Sequence, residues 1–113
     1  MKLRIRRYSD IGARRPSSGV FTGTVEIEAA VGEYSTPSLF GIFHAFRSFE
    51  ILSINEKGVT ISAVSHTERG TKIHEPQLLE KGFTVSFSDS ERQTSDDGPS
   101  WTATDDLYFK IIE

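Results

Sequence analysis

Three histidines, His44, His66 and His74, are the side chains of this 113-residue chain best suited to act as bases or metal ligands. His66 and His74 have Glu68 and Glu75 close by, a spacing that brings nitrogen and oxygen donors together across a turn. No His-Glu-x-x-His helix accompanies them. The chain has no cysteine, which excludes a disulfide framework, a thiolate zinc site and a cysteine nucleophile. There is no Gly-x-Ser-x-Gly elbow, no P-loop and no Gly-x-Gly-x-x-Gly turn. The carboxylates offer no calcium loop either: Asp96-Asp97-Gly98 runs into Pro99 without the terminal glutamate such a loop needs. Asp96-Asp97 and Asp105-Asp106 are sequence neighbours, and strand geometry turns neighbouring side chains to opposite faces. The reading therefore assigns no catalytic residue, no metal and no cofactor, and leans away from an enzyme.

Charge is distributed unevenly. Six of the thirteen basic residues, Lys2, Arg4, Arg6, Arg7, Arg14 and Arg15, fall in the first fifteen positions against one acid, Asp10. Residues 88–106 are the reverse, with six acids (Asp89, Glu91, Asp96, Asp97, Asp105, Asp106) against Arg92, and they hold the single tryptophan, Trp101. Segregated charge of this kind gives a directional field suited to steering a partner. The simplest structural use is neutralisation of the basic segment by the acidic one within the molecule. The overall charge of −3 opposes binding to a polyanion.

These residues must be held by strands. Leu3 and Ile5 alternate with Lys2, Arg4 and Arg6, placing three cations on one wet face. Residues 10–23, rich in glycine, proline and serine, read as a loop carrying Arg14 and Arg15. Val25, Ile27 and Ala29 mark a second strand. Thr36-Pro37 followed by Leu39, Ile42, Phe43 and Phe46 at helical spacing predicts one helix over 37–47; the competing reading is a strand through Phe40, Ile42, His44 and Phe46. Phe49, Ile51 and Ile54, with an irregularity at Leu52, pair with Val59, Ile61 and Ala63 through a hairpin at Asn55-Glu56-Lys57-Gly58. Pro76 argues against a central strand in the weaker pattern over 71–79. Phe83, Val85 and Phe87 form another strand, residues 88–106 read as a long polar loop, and Leu107, Phe109 and Ile111 close the chain.

The expected fold is a single domain over 1–113, of α+β class: a mainly antiparallel sheet of about six to eight strands with one short helix. The alternative is an all-β sandwich or barrel. With no apolar run long enough for a signal peptide or a membrane span, a cytoplasmic location is the expectation.

Function follows from the charges. The leading expectation is a non-enzymatic module that binds another protein, of inhibitor or toxin-immunity type, through charged surfaces. The expected contact patch is the acidic segment: Asp96, Asp97, Trp101, Asp105 and Asp106. Pairing along a sheet edge, including homo-oligomer formation, is the other expected route to a partner. A second reading binds nucleic acid or phosphate through Lys2, Arg4, Arg6, Arg7, Arg14 and Arg15. A third is a small enzyme or ligand-binding barrel with a histidine-carboxylate pocket.

Overall fold

A computed structural model describes residues 1–10, 20–41, 45–94 and 100–113. Its elements run β1 (Lys2–Asp10), β2 (Val20–Glu28), β3 (Gly32–Ser35), α1 (Thr36–Phe40), β4 (Phe46–Asn55), β5 (Gly58–Thr67), β6 (Gly70–Ile73), β7 (Gln77–Leu79), β8 (Thr84–Thr94) and β9 (Ser100–Ile111). All strand pairings are antiparallel. One sheet has the order β2-β1-β9-β8; the other has β3-β4-β5-β6, with β7 also pairing with β5. The two sheets share one core and do not close into a barrel.

Period-two alternation decides what faces the core. Leu3 and Ile5 of β1, Phe87 of β8 and Leu107, Phe109 and Ile111 of β9 meet Phe46, Phe49, Ile51, Val59, Ile61 and Ala63 of β4 and β5. Phe109 is the hinge of the contact: its ring lies edge-on to Phe49 at 5.0 Å and to Phe87 at 5.9 Å. Fully burying such side chains contributes about 1.5–3 kcal/mol each, so this apolar half supplies most of the packing energy.

Several sequence expectations change. The helix is five residues, not eleven. Ser35 caps it by accepting from the Ser38 N–H, and Gly41, at φ 81°, ends it. That left-handed conformation favours glycine and ends α1, and Phe46, which the spacing put on the helix, begins β4 and is fully buried. Ile42, Phe43 and His44 lie outside the described residues, as do Arg14, Arg15, Asp96 and Asp97.

The long polar loop is mostly strand. β8 extends through Thr94 and β9 begins at Ser100, with Asp89 opposite Asp105 and Gln93 opposite Trp101. Among the described residues nine strands form, one more than the upper expectation: β3 and the division of 71–79 into β6 and β7 are the additions, while the hairpin arm, which keeps its alternation as it loses hydrophobicity, lengthens β8 and β9.

The β4–β5 hairpin and the irregularity at Leu52 occur as the sequence implies. Gly58 is required twice over: its φ is 145°, and a Cβ there would lie 2.1 Å from the Leu79 carbonyl oxygen. Pro76 separates β6 from β7, the two short strands that share one flank of β5.

Candidate functional site

Inward-facing positions change from apolar to polar at the same level on four strands. Along β1, Leu3 and Ile5 give way to Arg7 and Ser9; along β5, Val59, Ile61 and Ala63 give way to Ser65 and Thr67. On β8 Phe87 is followed by Asp89, and on β9 Phe109 and Leu107 are preceded by Asp105. The register places Ser9 and Asp89 on either side of Asp105, so the interior has an apolar half and a polar half.

Asp89 and Asp105 are therefore carboxylates directly opposite each other on neighbouring strands, an arrangement that is repulsive unless each is separately satisfied. Asp105 is fully buried and accepts hydrogen bonds from the Ser9 hydroxyl and from the Ala45 N–H, at the entry to β4 in the other sheet. Its field favours the charged form of Arg7, although burial, the larger effect, lowers the basicity of that guanidinium. Asp89 accepts from Ser65, from its neighbour's Ser90 N–H at 2.8 Å and from Arg69 Nη2 at 2.7 Å. Burial alone would raise the Asp89 pKa, but Ser65, Ser90, Arg69 and His74 together bring it below the ordinary carboxylate value.

Ser65 also lies 2.8 Å from His74 Nε2. Its single proton goes to Asp89, so Nε2 carries the hydrogen of this contact and donates to Ser65 Oγ. His74 is buried between Phe46 and Phe87, and burial first, then Lys72, lowers its pKa against the opposing pull of Asp89. A serine, a histidine and an aspartate thus meet, but in the order His-Ser-Asp. The serine is fully buried and gives its proton to the carboxylate, while the imidazole is a donor to it and cannot act as its base. The cluster is a structural tie between sheets, not a nucleophile with a base.

Beside this tie a cleft of about 570 Å³ opens along the free edge of β8, walled by the β5–β6 hairpin. Arg69, Lys72, Asp89 and Asp106 provide its charges. His66 stands apart, exposed, with Nδ1 2.9 Å from Thr71 Oγ1. Among the described residues no group of three histidine, aspartate or glutamate side chains gathers in a way that would hold a metal.

The outer face of the first sheet carries the basic strand. Lys2, Arg4 and Arg6 project outward as expected, but their carboxylate partners come from elsewhere than the acidic segment. Arg4 pairs with Glu26 at 3.1 Å, Lys2 with Glu113 at 3.6 Å, and the terminal ammonium with Glu28 at 3.4 Å. Antiparallel pairing of β1 with β9 sets Lys110 beside Arg4, Tyr108 beside Arg6 and Asp106 beside Tyr8. The cations thus gather at one end of the face and Asp106 lies toward the other. Arg6 and Lys110 have no carboxylate partner among the described residues. Shallow depressions of about 170 and 190 Å³ flank Arg6 and Tyr108. Burial first, and then Asp106, raises the Tyr108 pKa, keeping the phenol a hydrogen-bond donor.

Of the expected contact patch, Asp106 is on this face, Asp105 is inside, and Trp101 is described only by its backbone position. Asp105 is corrected from loop to strand and from surface to interior: neighbouring residues on a strand face opposite ways, and its donors are all within the protein. Arg7, one of the cations expected to grip phosphate, is half-buried, since its odd position on β1 turns it inward. Ser65, Arg69, Lys72, Asp89, Tyr108 and Lys110 were not singled out by sequence reasoning. The available signal was position: a polar residue on the inward beat of a strand needs an interior partner.

Comparison with known protein families, curated proteins and solved structures finds no match. Among the described residues no helix is long and apolar enough to cross a membrane.

Proposed function

We propose that this protein is a non-catalytic binding module whose contact surface is the outer face of the β2-β1-β9-β8 sheet, and whose partner is another protein presenting carboxylates. The observation that carries this reading is the group of Arg6, Tyr8, Tyr108 and Lys110 on an open sheet face, with Arg6 and Lys110 lacking a carboxylate partner among the described residues. Arginine and tyrosine are the residue types that most often anchor protein interfaces, because they combine contact area with directed hydrogen bonds. The cationic end orients the partner, and Asp106 at the other end of the face adds a repulsive element against a wrong register.

A nucleic-acid partner is the second reading, supported by the same cations and by two tyrosines able to stack bases. Glu26, Glu28 and Asp106 share the face, however, and bring its charge close to balance, which favours a protein over a polyanion.

The test is affinity capture from the native host by wild type, by Arg6→Glu with Lys110→Glu, and by Glu50→Ala as a control on the outer face of the second sheet. A protein retained by wild type and the control but lost from the double variant supports the reading. Retention by all three, or capture of nucleic acid that is released with added salt, contradicts it.

A further inference from the structure

The free edge of β8 is sealed by side chains from the opposite sheet. Gln77 Nε2 donates to the Ser86 carbonyl at 2.7 Å, Arg69 Nη2 donates to the Ser90 carbonyl at 2.6 Å, and the Arg92 N–H donates to Glu68 at 3.0 Å. The Ser90 N–H is also taken, by Asp89. These residues share the strand parity that points peptide groups away from β9. Ser88 shares it too, and among the described residues neither its N–H nor its C=O has a partner.

Among the described residues the Ser86 N–H is open as well, but between the Gln77 and Arg69 ties Ser88 alone has both peptide groups open, which has two consequences. A strand from another protein cannot pair along β8, because it would have to displace Gln77, Arg69 and Glu68. A compact ligand can reach the Ser88 donor and acceptor, because they open into the cleft. Around them the cleft presents hydroxyls of Ser88, Ser90 and Thr104, the Lys72 ammonium and the Asp106 carboxylate. Arg69 and Asp89 neutralise each other, as do Lys72 and Asp106 formally, so the cleft has no net charge with which to hold an anion. Its volume lies within the span usual for small-ligand sites, about 300–1,000 Å³.

We propose that this cleft binds a neutral polyhydroxylated ligand, one or two sugar rings, at the unsealed Ser88 peptide. Each ligand hydroxyl is both donor and acceptor, which matches paired N–H and C=O groups flanked by protein hydroxyls. Asp106 and Lys72 supply charge-assisted hydrogen bonds that orient the ring. Arg69, fixed by Asp89 and the Ser90 carbonyl, forms a rigid wall needing no reorganisation on binding.

The test is an amide NMR titration of the full chain with maltose, cellobiose and lactose, and in a parallel arm with inorganic phosphate. The expected result is that at least one sugar shifts the amides of Gly70, Lys72, Ser88 and Ser90 while phosphate does not. Lys72→Ala and Asp106→Ala each weaken that binding about tenfold, the loss of one charge-assisted hydrogen bond. Ser88→Pro removes the edge N–H without touching the ladder to β9 and abolishes the shifts. No shift from any of the three sugars at tens of millimolar overturns the proposal. So do shifts produced by phosphate alone, or an affinity left unchanged by both Lys72→Ala and Asp106→Ala.

Discussion

Replacing Asp105 with alanine should be among the most damaging single changes in this protein, although the residue lies in its most acidic stretch. The carboxylate is fully buried and accepts from Ser9, itself about 1% exposed, and from the N–H of Ala45, which is fully buried. Alanine leaves two buried donors without acceptors, at about 1–3 kcal/mol each, and takes the compensating charge from beside Arg7. A loss of about 3–5 kcal/mol is expected, as for other broken buried charge networks, against a total stability of about 5–15 kcal/mol for a domain. Asp105→Asn keeps one acceptor oxygen and should fall between alanine and wild type. Asp106→Ala, one residue away but on the opposite face, should stay within about 0.5 kcal/mol. Urea unfolding at neutral pH, with slopes compared to confirm a common transition, measures all three. An Asp105→Ala variant destabilised by less than about 1 kcal/mol, with an unchanged slope, would refute the argument that this carboxylate joins the sheets.

Thr36 is fully buried and its hydroxyl has no hydrogen-bond partner among the described residues, so Thr36→Val should raise stability by about 1 kcal/mol or more, read as a higher urea midpoint. Gly58→Ala should cost more than about 1 kcal/mol, because the added methyl meets the Leu79 carbonyl and the backbone is left-handed; thermal unfolding checks it. Acid should weaken the fold through two groups acting in the same direction. The His74 pKa is lowered in the folded state, so the unfolded chain binds the extra proton first and stability is lost as pH falls below 6.5. Asp89 is lowered from 3.8, so its contribution is intact above that value and is lost as pH falls through the folded value. His74→Gln should flatten the first of these steps and leave the second, as followed by urea midpoints across the acid range.

The strands were legible wherever alternation was apolar. Leu3 and Ile5 placed β1 correctly, and the Asn55–Gly58 turn gave the β4–β5 hairpin. The arm of β8 and β9 was read as loop because its inward beat carries Asp89, Glu91 and Asp105 instead of hydrophobic residues, and a pattern score cannot distinguish a satisfied buried carboxylate from a wet one. Helix length failed for a local reason, the left-handed Gly41. The cations on β1 were read correctly as outward-facing, but their partners were not, since Glu26 and Glu113 become neighbours only once β2 and the chain end flank β1. The network around Ser65 was invisible because it joins strands from both sheets.

The binding face itself is tested most directly by an amide NMR footprint of the captured protein partner on the isotope-labelled chain. The account predicts perturbations centred on Arg4, Arg6 and Tyr8 of β1 and on Asp106, Tyr108 and Lys110 of β9, abolished with Arg6→Glu and Lys110→Glu. A footprint instead on the outer face of the second sheet, around Glu33 and Glu50, would contradict it.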